Sequence, residues 1–448
     1  MRNRSIFMLF TLIGLSCVRE VRAQSAEHHF DLKAAVSYGL ENSLTLRQAV
    51  LDQEQAEYQI GEVRSSGLPQ ITGSGQFQNF PNLPTQLLPG EIVGQPGTQI
   101  PVQFGTEYTT SGTLEISQLL YSHEFFTGLK AAKSSRELYA LMKIKSEEDV
   151  IYQITDAYYQ TLQLQEQIKV LDSNMVMLQR LEDLMKVQYE NDVVTKTSYS
   201  RVKVQKANLS TQLQSLKTGF EQQKNYLKLL MGMPIEEGLI LEESPDLQEV
   251  SLSSLSFQKE NPIDLQILDK QQSLHLLNEK VTKAGYYPTL ALFGQQSWQA
   301  QRNEFNFFDG DQPWFEQTVI GLQLNVPIFD GRKKHFQIEQ IKMDIAKVEL
   351  QKTNAERQLD MQYDNAQKQL SNSLASVEVQ KENKELAREV YDETQLLYKE
   401  EVADLTDLLD AEQAYRDAQN NYYNEVLKFR KSELDLLKAQ GQLKTLID

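Results

Sequence analysis

Residues 398–415 read YKEEVADLTDLLDAEQAY and lie inside what looks like one very long helix. Three acids, Asp404, Asp407 and Asp410, recur at every third position. Like charges at that spacing repel on a helix surface by roughly a few tenths of a kcal/mol. Two readings follow. Either a new helix starts here and takes acids in its first turn, or something meets those carboxylates. Comparison with another part of the chain favours the first for most of them. Tyr189-Glu-Asn-Asp192-Val-Val-Thr195 matches Tyr398-Lys-Glu-Glu401-Val-Ala-Asp404 at an offset of 209. The chain therefore turns around residues 400–403. Asp404 becomes a helix N-cap, with Asp407 placed to complete a capping box. Asp410 stands one turn further in, beyond the reach of capping.

The same offset extends to the whole chain. Residues 114–121 match residues 322–329 at 208, and Leu68-Pro-Gln-Ile71 matches Tyr287-Pro-Thr-Leu290 at 219. The sequence is thus two copies of one unit, with an insertion in the first copy between Pro69 and Leu114. Each unit reads helix, strand, loop, strand, very long helix, turn, helix. The first repeat is assigned to 24–240, with a β-hairpin at 68–120 and a long helical hairpin at 123–232. An equatorial insertion follows at 234–256. The second repeat takes 257–448, with a helix at 261–285 opening on Asn261-Pro262, a β-hairpin at 287–328 and a helical hairpin at 331–446.

The strand assignments rest on period-two alternation. Ile71, Gly73, Gly75 and Phe77 face one way, and Thr72, Ser74 and Gln76 the other. Tyr108, Thr110, Gly112, Leu114 and Ile116 form one face of the return strand. Leu290, Leu292, Gly294 and Trp298 do so in the second copy, followed by Trp314, Thr318, Ile320, Leu322 and Leu324. One apolar and one polar face suits a half-buried hairpin, and equally a membrane barrel with a wet interior. Trp298, Trp314, Phe77 and Tyr108 sit where such a barrel carries an aromatic girdle. The helices carry a stronger signal. From His123 to Tyr189, and again from Gly331 to Tyr398, no proline occurs and only one glycine. Each span would reach about 100 Å as a helix. Ile338, Ile341, Ile345 and Val348 step along it as a coiled-coil seam. Four strands cannot close a barrel, and lipid tolerates no open sheet edge, so membrane-spanning strands here demand an oligomer.

Composition limits the alternatives. The 448 residues carry a formal charge of −17. Arg2 and Arg4, the apolar run 6–18 and Val21-Arg22-Ala23 read as a signal peptide over 1–23. Its removal takes away four Arg and one Glu and leaves −20, which argues against nucleic-acid binding. Cys17, the only cysteine, is alternatively a lipid anchor, although Gly14-Leu15-Ser16 matches a lipobox poorly. Without it the mature chain has no disulfide and no thiolate metal site. No apolar run is long enough for a transmembrane helix. His28, His29, His123, His275 and His335 show no metal spacing. No nucleophile motif or phosphate loop is present. Neither an enzyme nor a cofactor is indicated, and the chain reads as a conduit. A coiled-coil spacer of the cell envelope without a pore is the competing class. It has no use for two amphipathic hairpins at one end.

Taken together, these features resemble the TolC family of outer-membrane efflux channels. The duplicated layout, the Leu-Pro-x-Ile and Tyr-Pro-x-Leu strand entries and Val326-Pro-Ile-Phe-Asp-Gly-Arg332 carry the resemblance. Most specific is Tyr398 followed by Asp407-Leu408-Leu409-Asp410-Ala411. The resemblance implies a homotrimer with a twelve-strand barrel in outer-membrane lipid. It also implies an α-helical tunnel in the periplasm, a periplasmic adaptor protein and an inner-membrane pump of the RND or ABC type. It assigns Asp407, Asp410 and Tyr398 to a periplasmic gate. Asp192, Val193, Glu401 and Val402 fall at adaptor-contacting tips. Two departures stand out. The family's tip glycines are replaced by Asp192 and Glu401. The gate arginine and its acidic partner correspond to Ala403 and Ser198. Arg201 is the repeat equivalent of Asp410 and is a candidate for a substitute lock with it. The ordinary alternative is a solvated pair of little energetic weight.

Overall fold

The computed structural model describes residues 27–94, 96–242 and 262–447. The expected signal peptide, Cys17, Asn261 and most of the equatorial insertion lie outside the described residues. The protein is mainly helical with strands. Its elements are β1 (Glu27–Phe30), α1 (Leu32–Asn42), α2 (Leu44–Ser65), β2 (Gln70–Asn79), β3 (Thr85–Pro89), β4 (Gln99–Gln103) and β5 (Tyr108–Ser122). There follow α3 (His123–Glu190), α4 (Lys196–Met231), β6 (Gly238–Leu241), α5 (Ile263–Ala284), β7 (Thr289–Arg302), β8 (Phe315–Asn325), α6 (Lys333–Lys399) and α7 (Leu405–Gln440).

The strands at one end form a single antiparallel sheet in the order β2-β5-β7-β8. Each repeat contributes one hairpin, and β5 joins β7 to unite them. The insertion in the first copy is the separate ribbon β3–β4. Cross-strand register sorts the sheet cleanly. Ile71, Ile116, Gly294 and Ile320 form one row, and Leu292 and Leu322 pair further along the same face. The opposite face carries Thr72, Glu115, Gln295 and Val319, then Ser74, Thr113, Ser297 and Gln317. One face is therefore mostly apolar and the other mostly polar, because side chains alternate strictly along a strand. The outer edges of β2 and β8 are unpaired. Ile71 is 66% and Ile320 78% exposed on the apolar face.

From this sheet the four long helices run away as two antiparallel pairs, α3 with α4 and α6 with α7. α3, with 68 residues, and α6, with 67, each extend about 100 Å. α4 and α7, of 36 residues each, return only half way. α2 and α5 fill the remaining half by packing on α3 and on both α3 and α6, respectively. The most densely buried core lies where these segments meet. It includes Val36, Ile151, Ile154, Tyr158, Leu227, Met231 and Leu437.

At this level β1 pairs in parallel with β6, the visible start of the equatorial insertion. The buried Tyr158 hydroxyl donates to the carbonyls of Phe30 and Glu242, at 3.2 and 3.1 Å, and pins both strands to α3. Gly232 ends α4 at φ +73°, and a Cβ there would lie 2.2 Å from the Asn42 carbonyl oxygen. The turn can thus press against the end of α1 only as glycine. α5 begins at Ile263, one residue beyond Pro262, which serves as its N-cap rather than its first helical residue.

Candidate functional site: the paired helical tips

The end of the rod opposite the sheet consists of two tight turns. Both close the same way. Val193 N–H reaches the Gln188 carbonyl at 2.8 Å and Asp192 N–H the Tyr189 carbonyl at 3.0 Å. In the second copy Val402 N–H reaches Leu397 at 2.9 Å and Glu401 N–H reaches Tyr398 at 3.2 Å. This six-to-one and five-to-two pattern is the Schellman motif, which requires a left-handed residue just past the helix. That residue is Asp192 (φ 57°) in one turn and Glu401 (φ 60°) in the other. These are the positions at which the family resemblance leads one to expect glycine. The next residues, Val193 and Val402, are 68% and 73% exposed. Each tip therefore presents a bare valine beside an acid.

The return helices start with side-chain caps. Thr195 Oγ1 accepts from Ser198 N–H at 3.2 Å, and its hydroxyl lies 3.0 Å from that of Ser198. Asp404 accepts from Thr406 N–H at 2.7 Å and from Asp407 N–H at 3.0 Å. Asp407 returns the favour by accepting from Asp404 N–H at 3.1 Å, a complete capping box. These backbone donors hold the Asp404 carboxyl below the usual aspartate range, with a smaller contribution from the nearby Arg201 charge. Asp410 is exposed, and among the described residues no cation lies within ion-pair distance of it.

Arg201 donates to Thr406 Oγ1 at 2.6 Å. Within a protomer the arginine is therefore engaged low on α7, and the pairing with Asp410 considered from the sequence is not formed there. Thr406 and Asp410 stand four residues apart on one face of α7, and the guanidinium takes the one nearer the tip.

Tyr398 does not face the acids. It is half-buried between α6 and α3, where its hydroxyl lies 3.3 Å from Met185 Sδ. Burial pushes its phenol up. Close by, Tyr391 donates to Met177 Sδ and accepts from Gln395 Nε2 at 2.8 Å. Lys206 bridges α4 to Glu182 of α3 at 2.7 Å and stiffens the first hairpin. The sequence reading missed Tyr391, Met177 and the buried pair Glu412–Arg416 of α7. A charged pair spaced by four on a helix ordinarily means a solvated face, so no local signal marked it as buried.

At the other end, two of the four residues expected in an aromatic girdle, Phe77 and Tyr108, lie together. Phe77 and Tyr108 stack at 6.1 Å between centroids, and Phe305 and Phe307 meet Phe77 edge-on at 5.7 and 5.9 Å. Arg302 covers Phe307 at 5.0 Å. Trp298 stands one same-face row from Phe77, and Trp314 directly precedes β8. The run Phe305, Phe307 and Phe308 was the overlooked sequence signal for this cluster. Among the described residues no helix is long and apolar enough to cross a membrane, and no group of metal-ligating side chains gathers.

An edge-open amphipathic sheet on a double helical hairpin, with two capped tips at the far end, defines the fold of outer-membrane channel proteins. The sequence matches the family described as outer membrane efflux protein over residues 36–233 and 259–442, and the chain belongs to that family. No curated protein sequence matches it significantly. Solved structures show the same fold. The outer membrane protein VceC from Vibrio cholerae aligns at TM-score 0.67 and 16% identity, covering 92% of this chain and 96% of that one. The CmeC outer membrane channel of Campylobacter jejuni aligns at 0.68 and 16%, covering 92% and 85%. The open state of the Neisseria gonorrhoeae MtrE outer membrane channel aligns at 0.69 and 16%, covering 93% and 90%.

Proposed function

We propose that three copies of this chain form the exit duct of a tripartite efflux or type I secretion system. The observation that carries this reading is the four-stranded sheet with one apolar face, one polar face and two unpaired edges. Open edges are untenable in lipid. Pairing β8 of one copy with β2 of the next yields a closed barrel of twelve strands. Its polar face, with Glu115, Gln295 and Gln317, would line a watery pore, and its apolar face would meet the outer-membrane lipid. The helical hairpins continue the pore as a periplasmic tunnel. Transport through the duct is passive, and energy comes from an inner-membrane pump of the RND or ABC type.

At the periplasmic end the tips act as an iris. Asp410, exposed and beyond the capping box, is the acid best placed to line the opening, with Asp407 beside it. Across a three-fold axis Arg201 of one copy can approach Asp410 of the next, which is how a substitute lock would form. The exposed Val193 and Val402, flanked by Asp192 and Glu401, offer a mixed apolar and acidic surface to a periplasmic adaptor. A net negative chain of this kind has no use for nucleic acid. The test is fractionation followed by electrophoresis with and without heating. The duct predicts a heat-sensitive trimer in the outer membrane, and a soluble dimer would overturn it in favour of a pore-less spacer.

A further inference from the structure

Glu412 lies two residues beyond Asp410 on α7 and is only 3% exposed. Arg416, 8% exposed and one turn on, donates to its Oε1 at 3.3 Å. The second oxygen, Oε2, is buried and among the described residues has no hydrogen-bond partner. An ionised carboxylate with one oxygen left unsolvated is costly to keep in such a place.

The surroundings give that cost a mechanical outlet. Glu412 borders a cavity of about 320 Å³ between α3, α6 and α7, lined among others by Met177, Leu181, Tyr391, Tyr398 and Leu408. Here α7 rests on the other two helices through Leu408 and Ala411, packed against Tyr391, Leu181 and Met177. The charged and titratable groups around the carboxyl can be named by element. α3 supplies Arg180 on the cavity wall, and α6 supplies Lys399, Tyr391 and Tyr398 there, with Asp392 next to Tyr391. α7 supplies Arg416 and Asp417. Among the described residues only Arg416 is hydrogen-bonded to Glu412. The Tyr391 phenol is pushed up to about 12, by burial first and the Glu412 charge next, so it stays protonated and keeps its contact with Met177.

We infer that Glu412 is a proton-controlled latch that decides whether the first turns of α7 stay packed against α3 and α6. With a proton, the carboxyl is neutral and far less costly to keep buried, so the packing holds. Ionised, the carboxylate gains by letting water enter through the cavity, which loosens the contact just above the tips. The iris reading is needed only for the consequence that this contact bears on the opening.

The direction of the pH effect follows from the burial. Burial pushes the Glu412 carboxyl up, against the opposing pull of Arg416, with Asp417 adding to the rise. The packed arrangement thus binds the proton more tightly than a hydrated one. Packing is favoured as pH falls through that raised range and is lost as pH rises through it. One carboxyl changes the packed-to-released ratio by no more than about tenfold per pH unit. Asp404 works the other way. Its carboxyl is depressed by its cap, so its contribution is lost only in stronger acid.

The test uses the assembled protein in detergent with spin labels at V193C and V402C, which report on separation of the two tips. Distances are measured from pH 5 to pH 8.5. The latch predicts that the distribution lengthens as pH rises. It predicts that E412Q holds the low-pH distribution throughout. R416M, which leaves the acid without its counter-charge, shifts the midpoint to higher pH. Distances that ignore pH, or that move equally in E412Q, overturn the latch. Bilayer recording separates this from the channel reading. A pore that conducts while E412Q titrates like the wild type refutes the latch and keeps the channel. A pH-driven tip movement lost in E412Q, in a protein that never conducts, supports the latch and refutes the channel.

Discussion

At the scale of single residues, the two tips carry a conformational cost that glycine would remove. Asp192 and Glu401 hold left-handed backbone angles. Asp tolerates that region through its short polar side chain, and Glu does not share the advantage. E401G is expected to steady the second turn by up to about 1 kcal/mol, and D192G by less. Amide exchange at Val402 and Ala403 checks this and should slow by up to about fivefold. Faster exchange would mean that the Glu401 side chain makes a contribution which outweighs its backbone. Asp404 gives a pH prediction. Its folded carboxyl sits below the ordinary 3.8 because Thr406 and Asp407 amides donate to it. The cap is complete above that value and is lost as pH falls through the lower folded value. Exchange at the Thr406 and Asp407 amides should therefore rise in that acid window. Asp404→Asn, which keeps an acceptor without the titration, should flatten the profile.

At the scale of elements, the sheet is the part on which function turns. Ile320 sits at the middle of β8, in the apolar row with Ile116 and Ile71. In the proposed barrel this row faces lipid, where a lysine is expected to cost about 2–4 kcal/mol at the bilayer midplane. I320K should lower the temperature at which the trimer dissociates, whereas Q317K on the polar face should leave it nearly unchanged. Equal effects would contradict the assignment of faces.

These elements were legible in the sequence because their periods are local. Alternation from Ile71 to Phe77, and proline-free runs from His123 and Gly331, need no knowledge of tertiary contacts. The turn at Glu401 was readable because Tyr189 to Thr195 repeats it. What was not readable depends on partners remote in sequence. β1 becomes a strand by pairing with β6, more than two hundred residues away. The engagement of Arg201 by Thr406, and the burial of Glu412 with Arg416, are likewise set by how four helices meet. The capping roles of Asp404 and Asp407 were the part of the tip that sequence could reach, since a capping box is made within four residues.

At the scale of the whole molecule, one chain is an incomplete object. Both outer edges of its four-stranded sheet are open, its apolar sheet face is bare and Ile328 and Phe329 at the strand-to-helix junction are 93% and 82% exposed. In the proposed duct, lipid and further copies of the chain cover this surface. The central claim is that three copies close into a continuous duct. Planar-bilayer recording on the purified, heat-sensitive assembly, with its mass determined in the same detergent, tests it most directly. The account predicts a particle of three chains that inserts as one unit and carries a steady ionic current. A particle of one or two chains, or a trimer that inserts without conducting, would contradict it.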